Sequence, residues 1–133
     1  MTSTPRKHSE TGHLRLTETN FRSTLHTEVE TTWILVDFHA PWCRPCRAIA
    51  PKVKQLIDEH DDVTLASVDI DAEPDIARHY DITTIPTFVI FEQGSTRSKH
   101  KPVVGADLEG VERLIKKAKT KQAKRNERTR SQK

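Results

Sequence analysis

The stretch Trp33-Ile34-Leu35-Val36-Asp37-Phe38-His39-Ala40-Pro41-Trp42-Cys43-Arg44-Pro45-Cys46 decides how the rest of the chain is read. Its first six residues are nearly all apolar and partly β-branched, the pattern of a strand covered on both faces. Asp37 is the one acid in that run. Beyond Cys43, the residues Ile49, Val53, Leu56 and Ile57 recur at helical spacing to about Glu59, with Pro51 inside the run as an expected kink. The two cysteines therefore fall between a buried strand and the start of a long helix. Unpaired N–H groups and the positive dipole end at a helix N-terminus favour thiolate over thiol. Arg44 adds a positive charge there, and Pro45 is tolerated in a first helical turn, where its missing N–H costs little.

Outward from this centre, alternation of β-type and helical patterns continues. Leu14–Leu16 reads as a short edge strand, and Thr17 as the cap of a helix to about Thr27, with Phe21 and Leu25 on one face. Val63–Asp69 reads as a strand and Ala72–Tyr80 as a helix. Thr87–Phe91 is another β-type run after Pro86, and Gln93-Gly94 a turn. Lys99–Val104 reads as a polar edge strand, and a last helix opens near Asp107 with Leu108, Val111, Leu114 and Ile115 on one face. This order predicts an α/β fold, a central mixed β-sheet with helices on both faces.

Composition limits the rest. The 133 residues fit one domain with tails, and only 34% are hydrophobic. Residues 1–13 read as a disordered leader, 14–117 as the folded domain and 118–133 as a basic, disordered tail. Lys116–Lys133 carries +8 and leaves the remainder of the chain at −5. That segment reads as a solvated extension that begins as the end of the last helix and frays; with no aromatic residue for base stacking, weak, salt-sensitive binding to polyanions is the most it is expected to show. No signal-like or membrane-spanning run is seen, which predicts a cytoplasmic protein, where a disulfide is transient.

The two cysteines are separated by two residues, so a bridge between them closes a tiny loop and restrains the unfolded chain weakly. The pair reads as chemistry rather than as a staple. In this scheme Cys43 attacks a substrate disulfide, and Cys46, one turn on and more buried, resolves the mixed disulfide. Zinc is disfavoured, because one CxxC supplies two soft ligands where a structural site needs four. No Gly-rich nucleotide loop is present, so no bound cofactor is expected.

Trp42-Cys43-Arg44-Pro45-Cys46 resembles the thioredoxin active site, Trp-Cys-Gly-Pro-Cys, with Arg44 in place of Gly. Ile34–Phe38, Ala50-Pro51, Thr84-Ile85-Pro86-Thr87, Phe91–Gly94 and Val104-Gly105-Ala106 are similar to that family in order and spacing. The resemblance implies a thioredoxin fold and a protein-disulfide reductase, a monomer recharged by a separate NADPH-dependent flavin enzyme, thioredoxin reductase. It implies that Pro86 is a cis-proline facing the cysteines. It also implies that Trp42, Ile85, Pro86, Gly105 and Ala106 form a shallow apolar surface for disulfide-containing protein substrates, and that Asp37 exchanges a proton with Cys46. Burial without a cation is expected to raise the Asp37 pKa.

Three residues depart from the family pattern. Arg44 is expected to stabilise reduced Cys43 and make the disulfide more oxidising. His39 stands where a Trp is common and reads as a spacer packed under the loop. Ser67 stands where a Lys often accompanies the buried Asp. The rival reading keeps the fold as a binding module acting through protein–protein contacts.

Overall fold

The computed structural model describes residues 14–131, with side chains to residue 128; the leader read over 1–13 lies outside the described residues. The elements are β1 (Leu14–Arg15), α1 (Phe21–Ser23, continuing as a wider π-helical turn over Thr24–Glu28), β2 (Trp33–His39), α2 (Arg44–Asp58), β3 (Val63–Asp69), α3 (Pro74–His79), β4 (Thr87–Glu92), β5 (Val103–Val104) and α4 (Leu108–Ser131). The sheet order is β1-β3-β2-β4-β5, with β1 and β2 parallel to β3 and β4 antiparallel to β2 and β5. This is the mixed sheet expected from the sequence.

The period of two along β2 divides the core. Trp33 and Leu35 point to one face, where Ile49, Val53, Leu56 and Ile57 of α2 and Val111, Leu114, Ile115 and Ala118 of α4 pack. Ile34, Val36 and Phe38 point to the other, against Phe21 and Leu25 of α1 and Ile76 of α3. Asp37 follows Trp33 and Leu35 in phase, so the alternation aims it at the α2 side.

Four expectations are corrected. The first helix starts later than Thr17, because Thr17 and Asn20 close a turn on each other: Thr17 N–H donates to Asn20 Oδ1 (2.7 Å) and Asn20 N–H to Thr17 Oγ1 (3.2 Å). α3 starts at Pro74 rather than Ala72, since Asp69 Oδ1 accepts from the Asp71 and Ala72 N–H groups and the residue before a proline avoids helical geometry. The strand read over Lys99–Val104 shrinks to Val103–Val104. Pro102 has no N–H to give a ladder, and Ser98 Oγ bonds the Ile90 and His100 carbonyls instead. Finally, the basic segment read as a disordered tail is helical to Ser131.

That last helix is tied down well past Lys117. Asp107 opens it, accepting from Gly110 N–H at 2.9 Å. Ala118 is fully buried. Lys119 Nζ reaches Asp62 Oδ1 (2.7 Å) and His60 Nδ1 (2.8 Å), while Gln122 and Arg125 bond Glu92 at 3.3 and 3.0 Å. Among the described residues, no helix is long and apolar enough to cross a membrane.

Candidate functional site

Cys43 is the N-cap of α2, and its extended backbone (φ −82°, ψ 109°) ends the loop from β2. Its Sγ accepts from Cys46 N–H at 3.3 Å, so one free N–H of the helix terminus is directed at sulfur. Arg44 and Pro45 fill the first helical turn as expected. Cys43 and Cys46 are joined as a disulfide with Cα atoms 5.3 Å apart. Both are buried, at 4% and 3% exposure, so the expected contrast between an open Cys43 and a more buried Cys46 is absent from this oxidised state, where each sulfur covers the other. Ala40 packs with the pair, and Ile70 and Ile85 lean against it.

The loop before Cys43 is pinned at two points. Arg47 reaches back from α2 to the Pro41 carbonyl (2.5 Å), and the Trp42 indole N–H donates to Asp71 Oδ2 (2.7 Å). Trp42 is nonetheless 67% exposed. Sequence reading missed Asp71 and Arg47, because these contacts depend on chain reversals that no local pattern announces.

The Ile85–Pro86 peptide is cis. Gly105 N–H donates to the Pro86 carbonyl at 2.7 Å, and the Thr87↔Val104 pairing extends this contact into the sheet. Pro86, Gly105 and Ala106 thus share one corner, with Ile85 reaching the cysteine cluster. Gly105 holds φ +95°, a conformation side chains disfavour. Val104, 59% exposed, is the other large apolar side chain left open among the described residues. Its place between Val103 and Gly105 was quoted in sequence, but its exposure depends on the short β5.

Asp37 lies behind the cysteines. With Cys46, Ala50, Pro51, Ser67 and His39 it lines a pocket of about 480 Å³, which Arg15, Arg47 and Lys54 also border. Asp37 is 8% exposed and its Oδ1 has no hydrogen-bond partner among the described residues. Burial raises its pKa from 3.8 to about 7. Ser67 pairs directly with it across β3, in the position expected from the sequence. His39 is half-buried, and its pKa is lowered, chiefly by burial and further by Arg15, against the opposing pull of Asp69.

Comparison with known proteins agrees with this geometry. The family model described as Thioredoxin matches residues 12–119. Thioredoxin-2 of Pyricularia oryzae is 42% identical over 83 residues, which are 62% of this chain and 47% of that protein, so the match spans about half of that relative's length. The oxidised mitochondrial thioredoxin 3 of Saccharomyces cerevisiae superposes with a TM-score of 0.70 at 32% identity, covering 80% of this chain and 96% of that one. For Schistosoma mansoni thioredoxin the TM-score is 0.68 at 36% identity, covering 83% and 98%. The cysteine pair capping α2, the cis-proline corner and the five-stranded mixed sheet fall inside the matched region, and the chain belongs to the thioredoxin family.

Proposed function

We propose that this protein is a thiol–disulfide oxidoreductase that reduces protein disulfides through Cys43 and Cys46. The observation that carries the reading is the Cys43–Cys46 pair itself, placed at the mouth of α2 with the Cys43 sulfur as helix cap. In the dithiol form, Cys43 thiolate attacks one sulfur of a substrate disulfide; the substrate S–S bond breaks and its other sulfur leaves as a thiolate. Cys46 then attacks the Cys43 sulfur of the mixed disulfide. The second substrate thiolate leaves, the Cys43–Cys46 bond forms, and the substrate has gained two electrons.

Cys46 must lose a proton before it attacks. Asp37 lines the same pocket, and a carboxyl with a pKa of about 7 takes and returns a proton near neutral pH. Trp42, Ile85, Pro86, Gly105 and Ala106, now joined by Val104, form the docking surface for an extended substrate segment. Arg44 tunes the thiolate. The oxidised protein returns to the dithiol by exchange with an NADPH-dependent flavin reductase, and the protein works as a monomer in the reducing cytoplasm, where a short-range disulfide persists only between turnovers. Weak polyanion binding belongs to the basic face of α4.

The test is turnover of a disulfide-bonded test protein with a small dithiol as reductant. Cys43→Ser is expected to abolish catalysis, and Cys46→Ser, reduced and then freed of the dithiol before substrate is added, to accumulate a mixed disulfide of protein and substrate visible by mass. Catalysis that survives Cys43→Ser overturns the reading and leaves the fold as a binding module.

A further inference from the structure

The far end of β2 carries a second polar site. Trp33 is 3% exposed, yet among the described residues its Nε1 has no hydrogen-bond partner, and neither has the buried Nδ1 of His100. The two rings stand edge to face, with centroids 6.3 Å apart. Both residues line one pocket of about 210 Å³ between β4, the loop before β5 and the outer part of α4. The other charged groups on its wall are Arg97, Lys99, Lys121 and Arg125, against the single acid Glu92, which Arg125 and Gln122 hold. A Trp indole is a donor only and cannot shed its unmet demand by changing protonation. A buried donor left unpaired is costly, and the cations that border its pocket favour an anion as its partner.

We propose that this pocket binds a phosphate group, with one anionic oxygen accepting from Trp33 Nε1–H and another from His100 Nδ1–H, and with Lys99, Lys121 and Arg97 supplying the countercharge. The site is distinct from the cysteine pair, because Trp33 begins β2 and the redox loop leaves its opposite end. Occupancy also joins the outer turns of α4 to the loop before β5, since Lys121, Gln122 and Arg125 sit on one side and Arg97 to His100 on the other. Burial lowers the His100 pKa first, and Lys121, Lys117 and Lys99 lower it further, while Glu92 opposes them.

The experiment follows the indole N–H resonances of the full-length, nitrogen-15-labelled protein during titration at constant ionic strength. Trp42→Phe assigns the Trp33 signal. Inorganic phosphate and adenosine monophosphate are the two arms. A saturable movement of the Trp33 resonance, with half-saturation at about 1 mM or below, is expected in at least one arm. The tighter arm tells whether the source is the free ion or a phosphate ester. Lys121→Glu, on an exposed helix face, is expected to keep the folded spectrum and weaken binding about tenfold. A Trp33 resonance that stays still in both arms, or drifts without saturation and equally in Lys121→Glu, overturns the proposal.

Discussion

Trp33 and Asp37 stand at opposite ends of β2 and face the same side of the sheet, about 13 Å apart along the strand. Each buries one polar atom with no partner among the described residues. The two atoms answer the same desolvation problem differently. A carboxyl escapes by keeping its proton, so burial raises the Asp37 pKa to about 7 beside the Cys43–Cys46 disulfide. An indole N–H has no such escape, so the Trp33 end must import an acceptor or remain unsatisfied. One strand thus carries two buried polar atoms without a partner among the described residues, and their side-chain chemistry decides that the one can change its protonation state and the other cannot.

The sharpest way to break this contrast is Asp37→Asn, which removes ionisation and keeps the shape. The carboxyl moves from 3.8 in its ordinary state to about 7 when folded. Between those values the folded protein holds a proton that the unfolded chain has released, so stability falls as pH rises through that window. Above it the penalty is complete, about 4 kcal/mol as an upper figure. Asp37→Asn in the oxidised protein is expected to raise stability by up to that amount at pH 8 and hardly at all at pH 4, read from denaturant melts at both pH values. The same variant is expected to slow turnover above pH 7. Equal melts at both values would mean that the site is wet and the contrast with Trp33 false.

Arg44→Gly probes the redox end from the thiolate side. Removing the cation destabilises reduced Cys43, so the reduction potential is expected to fall toward about −270 mV, the family's reference value, by about 30 mV, which is worth about 1.4 kcal/mol. Trp42 fluorescence in a thiol–disulfide buffer series reads it. An unchanged potential would leave helix-cap geometry as the whole of the electrostatic tuning.

These two ends were not equally legible in the sequence. The redox end was, because its parts are local: a CxxC between an apolar run and a helical period, Asp37 interrupting that run, Pro86 preceding a β-type segment. The strand, the helix, the cysteine pair between them and the cis-proline lie where pattern and resemblance put them, and the resemblance supplied the long-range assembly that spacing could not. The Trp33 end was illegible, because Trp33 looked like one more apolar residue and its neighbours come from three distant segments. The outer part of α4 was misread for a related reason. Its composition is that of a solvated tail, and apolar patterning stops at Ala118, so nothing local reveals that Asp62, His60 and Glu92 hold it by polar contacts.

A helix held in that way sets the smallest expected effect. Asp107→Ala removes the cap of α4 and is expected to cost about 1 kcal/mol, spread over the whole domain because Val111, Leu114 and Ile115 follow directly. Lys119→Ala removes a partly exposed pair with Asp62 and the contact to His60, for which solvent screening leaves about 0.5 kcal/mol. Global melts would barely register that, but hydrogen exchange would, because the opening is local. Amides at Val111 to Ala118 should exchange as in the parent, while those at 119–125 should exchange about twofold faster. Phosphate should restore their protection if it bridges α4 to the loop before β5. Exchange that is unchanged in Lys119→Ala would shift the anchoring to the Glu92 contacts of Gln122 and Arg125, which also wall the Trp33 pocket.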